Sequence, residues 1–149
     1  MTQSREARVD TVSDAQAPHQ GAAARMGLKQ GDLVQELGYD EDVDFDLREE
    51  LESVTGETLL DEDEHDVADA VLLWWREGDG DLVDALVDAL TDLSDEGVVW
   101  LLSPKRGRDG QVSASEIQEA APTAGLHSTT TEGVSATWQA VRLVPRKRH

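Results

Sequence analysis

The chain of 149 residues contains no cysteine, which excludes zinc–cysteine sites, thiol nucleophiles and redox pairs. Long apolar runs are missing as well. The longest, residues 70–75, is far too short to span a bilayer. The polar N-terminus lacks the apolar segment of a signal peptide, so a soluble cytoplasmic protein is expected, with no membrane partner. Bases are scarce where acids are dense. Between Asp32 and Glu96 stand 25 acidic residues against two bases, Arg48 and Arg76, a net charge of −23 within a total of −19. Such a body repels nucleic-acid phosphates, and the short basic end at Arg146–Arg148 does not reverse that. Nucleic acid is therefore not an expected partner. A basic protein partner remains compatible with the charge, as does plain solubility.

What is present is one domain's worth of chain, with a core large enough to need no covalent staple. Residues 1–21 lack apolar periodicity and read as a disordered tail, residues 22–144 as a single domain, and residues 145–149 as a basic tail. A short helical turn is expected at 22–26, ending at Gly27, and a buried strand at 32–37. A helix is expected at 42–54, where Val43, Leu47, Leu51 and Val54 share a face and Gly56 stops it. A stub of strand at 58–60 precedes a charged loop at 61–66. The unalternating apolar run 68–75 predicts a central strand covered on both faces. Residues 81–93 predict a helix with Leu82, Leu86, Leu90, Leu93, Val83 and Val87 on its buried stripe. A second buried strand at 98–102 leads into the basic, glycine-containing loop 103–110. A helix capped by Ser113 or Ser115 runs towards Ala124 and ends at Gly125, with Pro122 shortening or kinking its last turn. Strands at 126–130 and 137–144 form a terminal hairpin around Gly133. The alternation predicts a three-layer, Rossmann-like α/β fold with a mainly parallel sheet and an antiparallel hairpin at its edge.

The run Leu28-Lys29-Gln30-Gly31-Asp32-Leu33-Val34-Gln35-Glu36-Leu37-Gly38 has the form of a lead-in to a nucleotide loop. Together with the apolar run 69–75, the leucine-rich helix and Val98-Val99-Trp100-Leu101-Leu102, it resembles class I S-adenosylmethionine-dependent methyltransferases across residues 22–144. The chain also resembles a small, acidic actinobacterial family of unknown function, through Gln35-Glu36-Leu37-Gly38, Trp74-Trp75 and residues 119–126. Two departures stand against a methyltransferase activity. Tyr39-Asp40-Glu41-Asp42 replaces the glycine-rich turn that follows the strand in that family. Between Gly38 and Asp66 the sequence also has room for one helix and a stub, where the full fold carries two strands and two helices. The resemblance thus implies a truncated methyltransferase-like fold. If a cofactor binds at all, it implies Glu36, Gly38 and Asp40 near its amino group and ribose, and Trp74 or Trp75 near its adenine. The bulk of Tyr39 opposes this, because backbone cannot then approach a ligand closely.

Read from the residues themselves, the remaining candidates are few. Asp40, Asp42 and Asp44 alternate like the start of a calcium loop, but Phe45 and Leu51 stand where Gly and Glu would be required. Capping of the next helix explains Asp42, and extends to Asp44. The 61–66 cluster has one histidine and no zinc-ligand pattern, so no metal site is assigned. Trp74 and Trp75 should point to opposite faces, and packing in the core suits both. Lys105, Arg106 and Arg108 follow a strand end and would suit an acidic partner or a small anion. Ser103, His65 and His127 lie in separate segments, and no catalytic set emerges. The expectation is a non-catalytic binding or regulatory protein with no cofactor, acting through a protein partner. A minimal methyltransferase and a small-anion sensor are the alternatives.

Overall fold

The computed structural model describes residues 20–145. The elements run α1 (Gln20–Arg25), β1 (Val34–Leu37), α2 (Phe45–Thr55), β2 (Ala68–Trp74), α3 (Leu82–Leu90), β3 (Leu93–Pro104), α4 (Ala114–Thr123), β4 (Leu126–Gly133) and β5 (Trp138–Pro145). The five strands lie in the order β1-β2-β3-β5-β4. The first three are parallel, and β5 is antiparallel to both of its neighbours.

Strand alternation builds the three layers. On β2, Ala70, Leu72 and Trp74 face one side, where Ala23, Met26, Leu47 and Leu51 of the α1–α2 layer meet them. Val71 and Leu73, with Trp75 just beyond the strand, face the other side and pack on Leu82, Leu86 and Ile117 of the α3–α4 layer. A period of two can bury every position of a strand only when both faces are covered. The unalternating run is thereby accounted for.

Local chemistry sets the helix ends. The Asp44 carboxylate accepts from the Leu47 N–H at 2.9 Å, and Gly56 closes α2 in the left-handed region. Asp81 and Ser113 cap α3 and α4 in the same way. Pro122 sits one residue from the end of α4, so its missing N–H removes a single helical bond.

Several expectations are corrected. α1 begins at Gln20, inside the expected tail, and residues 1–19 and 146–149 lie outside the described residues. α3 stops at Leu90. Ala89 is buried in place of Val87, which is exposed, and Leu93 opens β3 by pairing with Ala68. β3 therefore begins five residues before the strand expected at 98–102. The 58–60 stub is a single bridge, Gln35 to Leu60. The first strand of the terminal hairpin is longer than expected and takes in Gly133, and β5 enters between β3 and β4, which leaves β4 at the sheet edge.

The truncation has a visible substitute. Leu60 exchanges backbone bonds with Val34 and Glu36 along the outer edge of β1. The following acidic segment passes over the face of β1 opposite α2, where the Gln35 side chain donates to the Asp61 and Glu64 carbonyls. Among the described residues, no helix is long and apolar enough to cross a membrane.

Candidate functional site

The C-terminal ends of parallel strands are where open α/β sheets bind ligands. Here β1 runs into Gly38-Tyr39-Asp40, β2 into Trp75-Arg76 and β3 into Lys105. A cleft of about 370 Å³ at the first two of these ends is lined by residues including Gly38, Tyr39, Asp40, Trp75, Arg76 and Asp79.

Glu36, on the α2 face of β1, is buried. It accepts from Arg48 Nε at 2.7 Å and Nη2 at 2.9 Å, and from the Trp74 indole N–H at 2.9 Å. The bidentate geometry is what a guanidinium offers a carboxylate in a low-dielectric setting. The hydrogen bonds from Arg48 to Glu36 raise the pKa of the guanidinium further, against the opposing effect of burial. Trp74 meets Trp138 edge to face, with ring centroids 4.8 Å apart. Of the five positions singled out for a cofactor, Gly38, Asp40, Trp74 and Trp75 line the cleft, whereas Glu36 does not and is hydrogen-bonded to Trp74. Trp75 is buried in the opposite layer, and Asp40 is exposed.

Gly38 takes φ +77°, and a Cβ there would overlap the Trp74 carbonyl oxygen. Its lack of a side chain serves the close approach of two chain segments at the strand ends. Its N–H donates to Glu62 and its carbonyl accepts from Arg76 Nη1 at 2.8 Å.

Arg76 is the organising cation of the cleft. Its guanidinium is bidentate to Asp42, reaches Asp79 at 3.4 Å, and lies 5.3 Å from the Trp138 ring centroid. The Trp138 indole N–H donates to the Asp42 carbonyl at 3.2 Å. Asp42 was expected to cap α2. Asp44 does so instead, because it directly precedes the first helical residue, and Asp42 is left to pair with Arg76. The Arg76 hydrogen bonds hold the Asp42 carboxyl below its ordinary pKa, more than offsetting the upward push of partial burial. A lowered folded-state pKa contributes stability above the unfolded value, which is lost as pH falls through the folded value. Asp42→Asn should therefore differ most from wild type at neutral pH. The gap between their urea midpoints should close as pH drops below roughly 4, and a gap independent of pH would refute the pairing.

The basic loop is hydrogen-bonded in place. Lys105 N–H donates to the Thr137 carbonyl, Arg108 N–H to that of Lys105, and Gly107 N–H to the Gln111 side chain. Glu77 N–H donates to the Gly110 carbonyl, which ties the loop to the Arg76 segment. Arg106 and Arg108 are exposed. In the 61–66 cluster, His65 pairs with Asp92 at 2.9 Å. Among the described residues, no three potential ligands converge on a metal position.

Sequence reasoning missed Arg48, Arg76 and Trp138. The signal available for the first two was their rarity. Two bases among 25 acids are strong candidates for specific pairing.

The chain belongs to the family described as Protein of unknown function (DUF3052), matched over residues 23–147. It is 50% identical over 125 residues to uncharacterized proteins of Mycobacterium tuberculosis and Mycobacterium bovis, covering 84% of this chain and 78% of theirs. Among solved structures it is similar to a SAM-dependent methyltransferase from Aquifex aeolicus, with a TM-score of 0.57 at 12% identity over 85% of this chain and 88% of that one. A TehB-like SAM-dependent methyltransferase from Corynebacterium glutamicum gives 0.52 at 11% identity over 86% and 88%. The pyocyanin biosynthetic protein PhzM gives 0.64 at 9% identity over 85% of this chain and 54% of that one. The likeness establishes a Rossmann-like, methyltransferase-type fold for this family member, as the order of elements implied.

Proposed function

We propose that this family member is a non-catalytic binding or regulatory protein on a degenerate methyltransferase-like scaffold, acting through a protein partner. The observation that carries the reading is the Arg76 network. At the strand ends, where a ligand would need free donors and acceptors, the Gly38 carbonyl, Asp42 and Asp79 are already joined through one guanidinium.

Two further features support it. Glu36, the carboxylate that the resemblance would place near the cofactor, is buried and bidentate to Arg48. An adenosine ligand would have to displace that arginine and leave a buried carboxylate unpaired, a change of several kcal/mol. Tyr39 stands where a glycine would let backbone approach the ligand. These residues do not fit S-adenosylmethionine, and no methyl transfer is derived from them.

The test is a titration of the full chain with S-adenosylmethionine, by calorimetry and thermal unfolding. Ligand at about a hundred times its dissociation constant would add roughly 2.7 kcal/mol of stability. The expected outcome is no heat of binding and no shift in the unfolding transition. Micromolar binding would overturn the reading in favour of a minimal methyltransferase.

A further inference from the structure

The chain has one tyrosine and one phenylalanine, and the two rings touch. Tyr39 and Phe45 meet edge to face with centroids 6.1 Å apart. They are 50% and 48% exposed, whereas Trp74, Trp75, Trp100 and Trp138 are all buried. Both non-tryptophan aromatics are thus placed side by side on the surface.

Part of that placement is structural. The Arg48 guanidinium carbon lies 4.9 Å from the Tyr39 centroid and 5.9 Å from that of Phe45, so the rings roof the Arg48–Glu36 pair. Roofing does not account for the half of each ring left in water. Exposed carboxylates stand near the two rings in sequence, Asp40 and Glu41 directly after Tyr39, Asp46 directly after Phe45 and Glu49 one helical turn further on. The carboxylates on either side of Phe45 in sequence, Asp44 and Asp46, line a groove of about 670 Å³ between α2 and the β4–β5 turn, with Leu47, Glu49 and Val134 among others. Among the described residues, Arg25 at the β4–β5 turn beside the groove pairs with Glu132 and donates to the Gly133 carbonyl. The two bases of the acidic span are already engaged, Arg48 by Glu36 and Arg76 by Asp42 and Asp79.

We infer that the Tyr39–Phe45 face and the adjoining α2 groove dock a lysine- or arginine-rich segment of a partner protein. The inference rests on the binding role proposed above and gives the partner's chemistry. Acidic surface alone attracts any polycation weakly and without position. An exposed aromatic pair supplies the position, because aromatic rings take both the charged head of a basic side chain and its apolar stem. Aromatic anchors carry much of the energy of protein interfaces. The flanking carboxylates speed encounter and select the sign of the partner.

The probe is a short synthetic peptide alternating arginine and glycine, with a version carrying glutamate for arginine as control. Both are titrated into the full chain at physiological salt. The arginine peptide should bind and the glutamate peptide should not. Tyr39→Ala combined with Phe45→Ala should weaken binding about tenfold or more. Asp46→Asn with Glu49→Gln, exposed positions outside the core, should weaken it less and flatten its salt dependence. That second pair keeps the test decisive should loss of the rings loosen the Arg48–Glu36 pair. Equal affinity with and without the rings would reduce the face to a nonspecific polyanion and overturn the inference. Failure of the arginine peptide to bind would overturn it too. So would a dimer in sedimentation that the ring substitutions break, since the face would then belong to a second copy. S-adenosylmethionine is titrated into the same samples. Its binding would sink the non-catalytic reading whatever the peptide does, whereas peptide failure without it sinks this inference alone.

Discussion

Arg48→Ala is expected to lower the unfolding free energy by about 3 kcal/mol, measured by urea unfolding followed through tryptophan fluorescence. The reason is the carboxylate left behind. Glu36 is almost wholly inaccessible, and Arg48 supplies two of its hydrogen bonds. Without the guanidinium, Glu36 keeps the Trp74 indole N–H and must hold its charge in a site poor in water. Breaking a buried pair on one side typically costs about 3–5 kcal/mol. Arg48 keeps a quarter of its side-chain surface in solvent, so water can enter after truncation, and the low end applies. Removing the charge from the partner as well should recover part of the loss. Arg48→Met with Glu36→Gln is therefore expected to be more stable than Arg48→Ala. A loss well under 1 kcal/mol for Arg48→Ala would mean that the pair behaves as a solvated surface bridge.

Gly38→Ala should be comparably damaging, by a different route. The positive φ alone disfavours an L side chain by roughly 1–2 kcal/mol. Overlap with the Trp74 carbonyl oxygen adds to this, because backbone cannot rotate aside as a side chain tip can. About 3 kcal/mol in total is expected from strain plus overpacking. The control is Gly56→Ala. That glycine has φ +78°, but nothing lies within 4 Å of the added Cβ, so only the conformational term of about 1 kcal/mol applies. Similar losses at both positions would show that the close approach at the strand ends contributes nothing. A larger loss at Gly38 ties the glycine of the lead-in motif to packing of the chain on itself.

The two variants bear on how the candidate site was read from sequence. Glu36, Gly38 and Trp74 are singled out by the lead-in motif and the tryptophan pair, and the structure sets Trp74 against both of the others. What Glu36 meets is Trp74 and Arg48. A motif shows that a carboxylate, a glycine and an aromatic ring lie near the strand ends. It carries no information about a guanidinium that α2 delivers from a dozen residues further on. Asp42 and Asp44 make the same point at shorter range. Both precede the helix, and either satisfies the compositional rule for a cap. The choice is made by Arg76, 34 residues away from Asp42, once β2 has brought it alongside.

The aromatic pair was not legible at all. In the sequence Tyr39 reads as an obstruction to a ligand, and Phe45 stands where a calcium loop requires glycine. Their contact depends on the turn between β1 and α2, which places two rings six residues apart over the same guanidinium. The longer misreadings have a similar origin. Leu93 continues the leucine spacing of α3, yet pairing with Ala68 draws it into β3. Periodicity cannot register a competing partner on another strand.

By itself the sequence determined the layers, the strand-and-helix succession and the truncation. Each of these follows from residues within a few positions of one another, through the period-two and helical placement of apolar side chains and the turn chemistry of glycine, aspartate and serine. The tertiary structure decided the fate of the charges. A chain with 25 carboxylates and two bases between Asp32 and Glu96 allows many pairings of nearly equal Coulomb energy. Which of them form depends on where packing of α2 and β2 sets the two guanidinium groups. That placement closed the strand ends around Arg76 and left Tyr39, Phe45 and the carboxylates of α2 facing solvent.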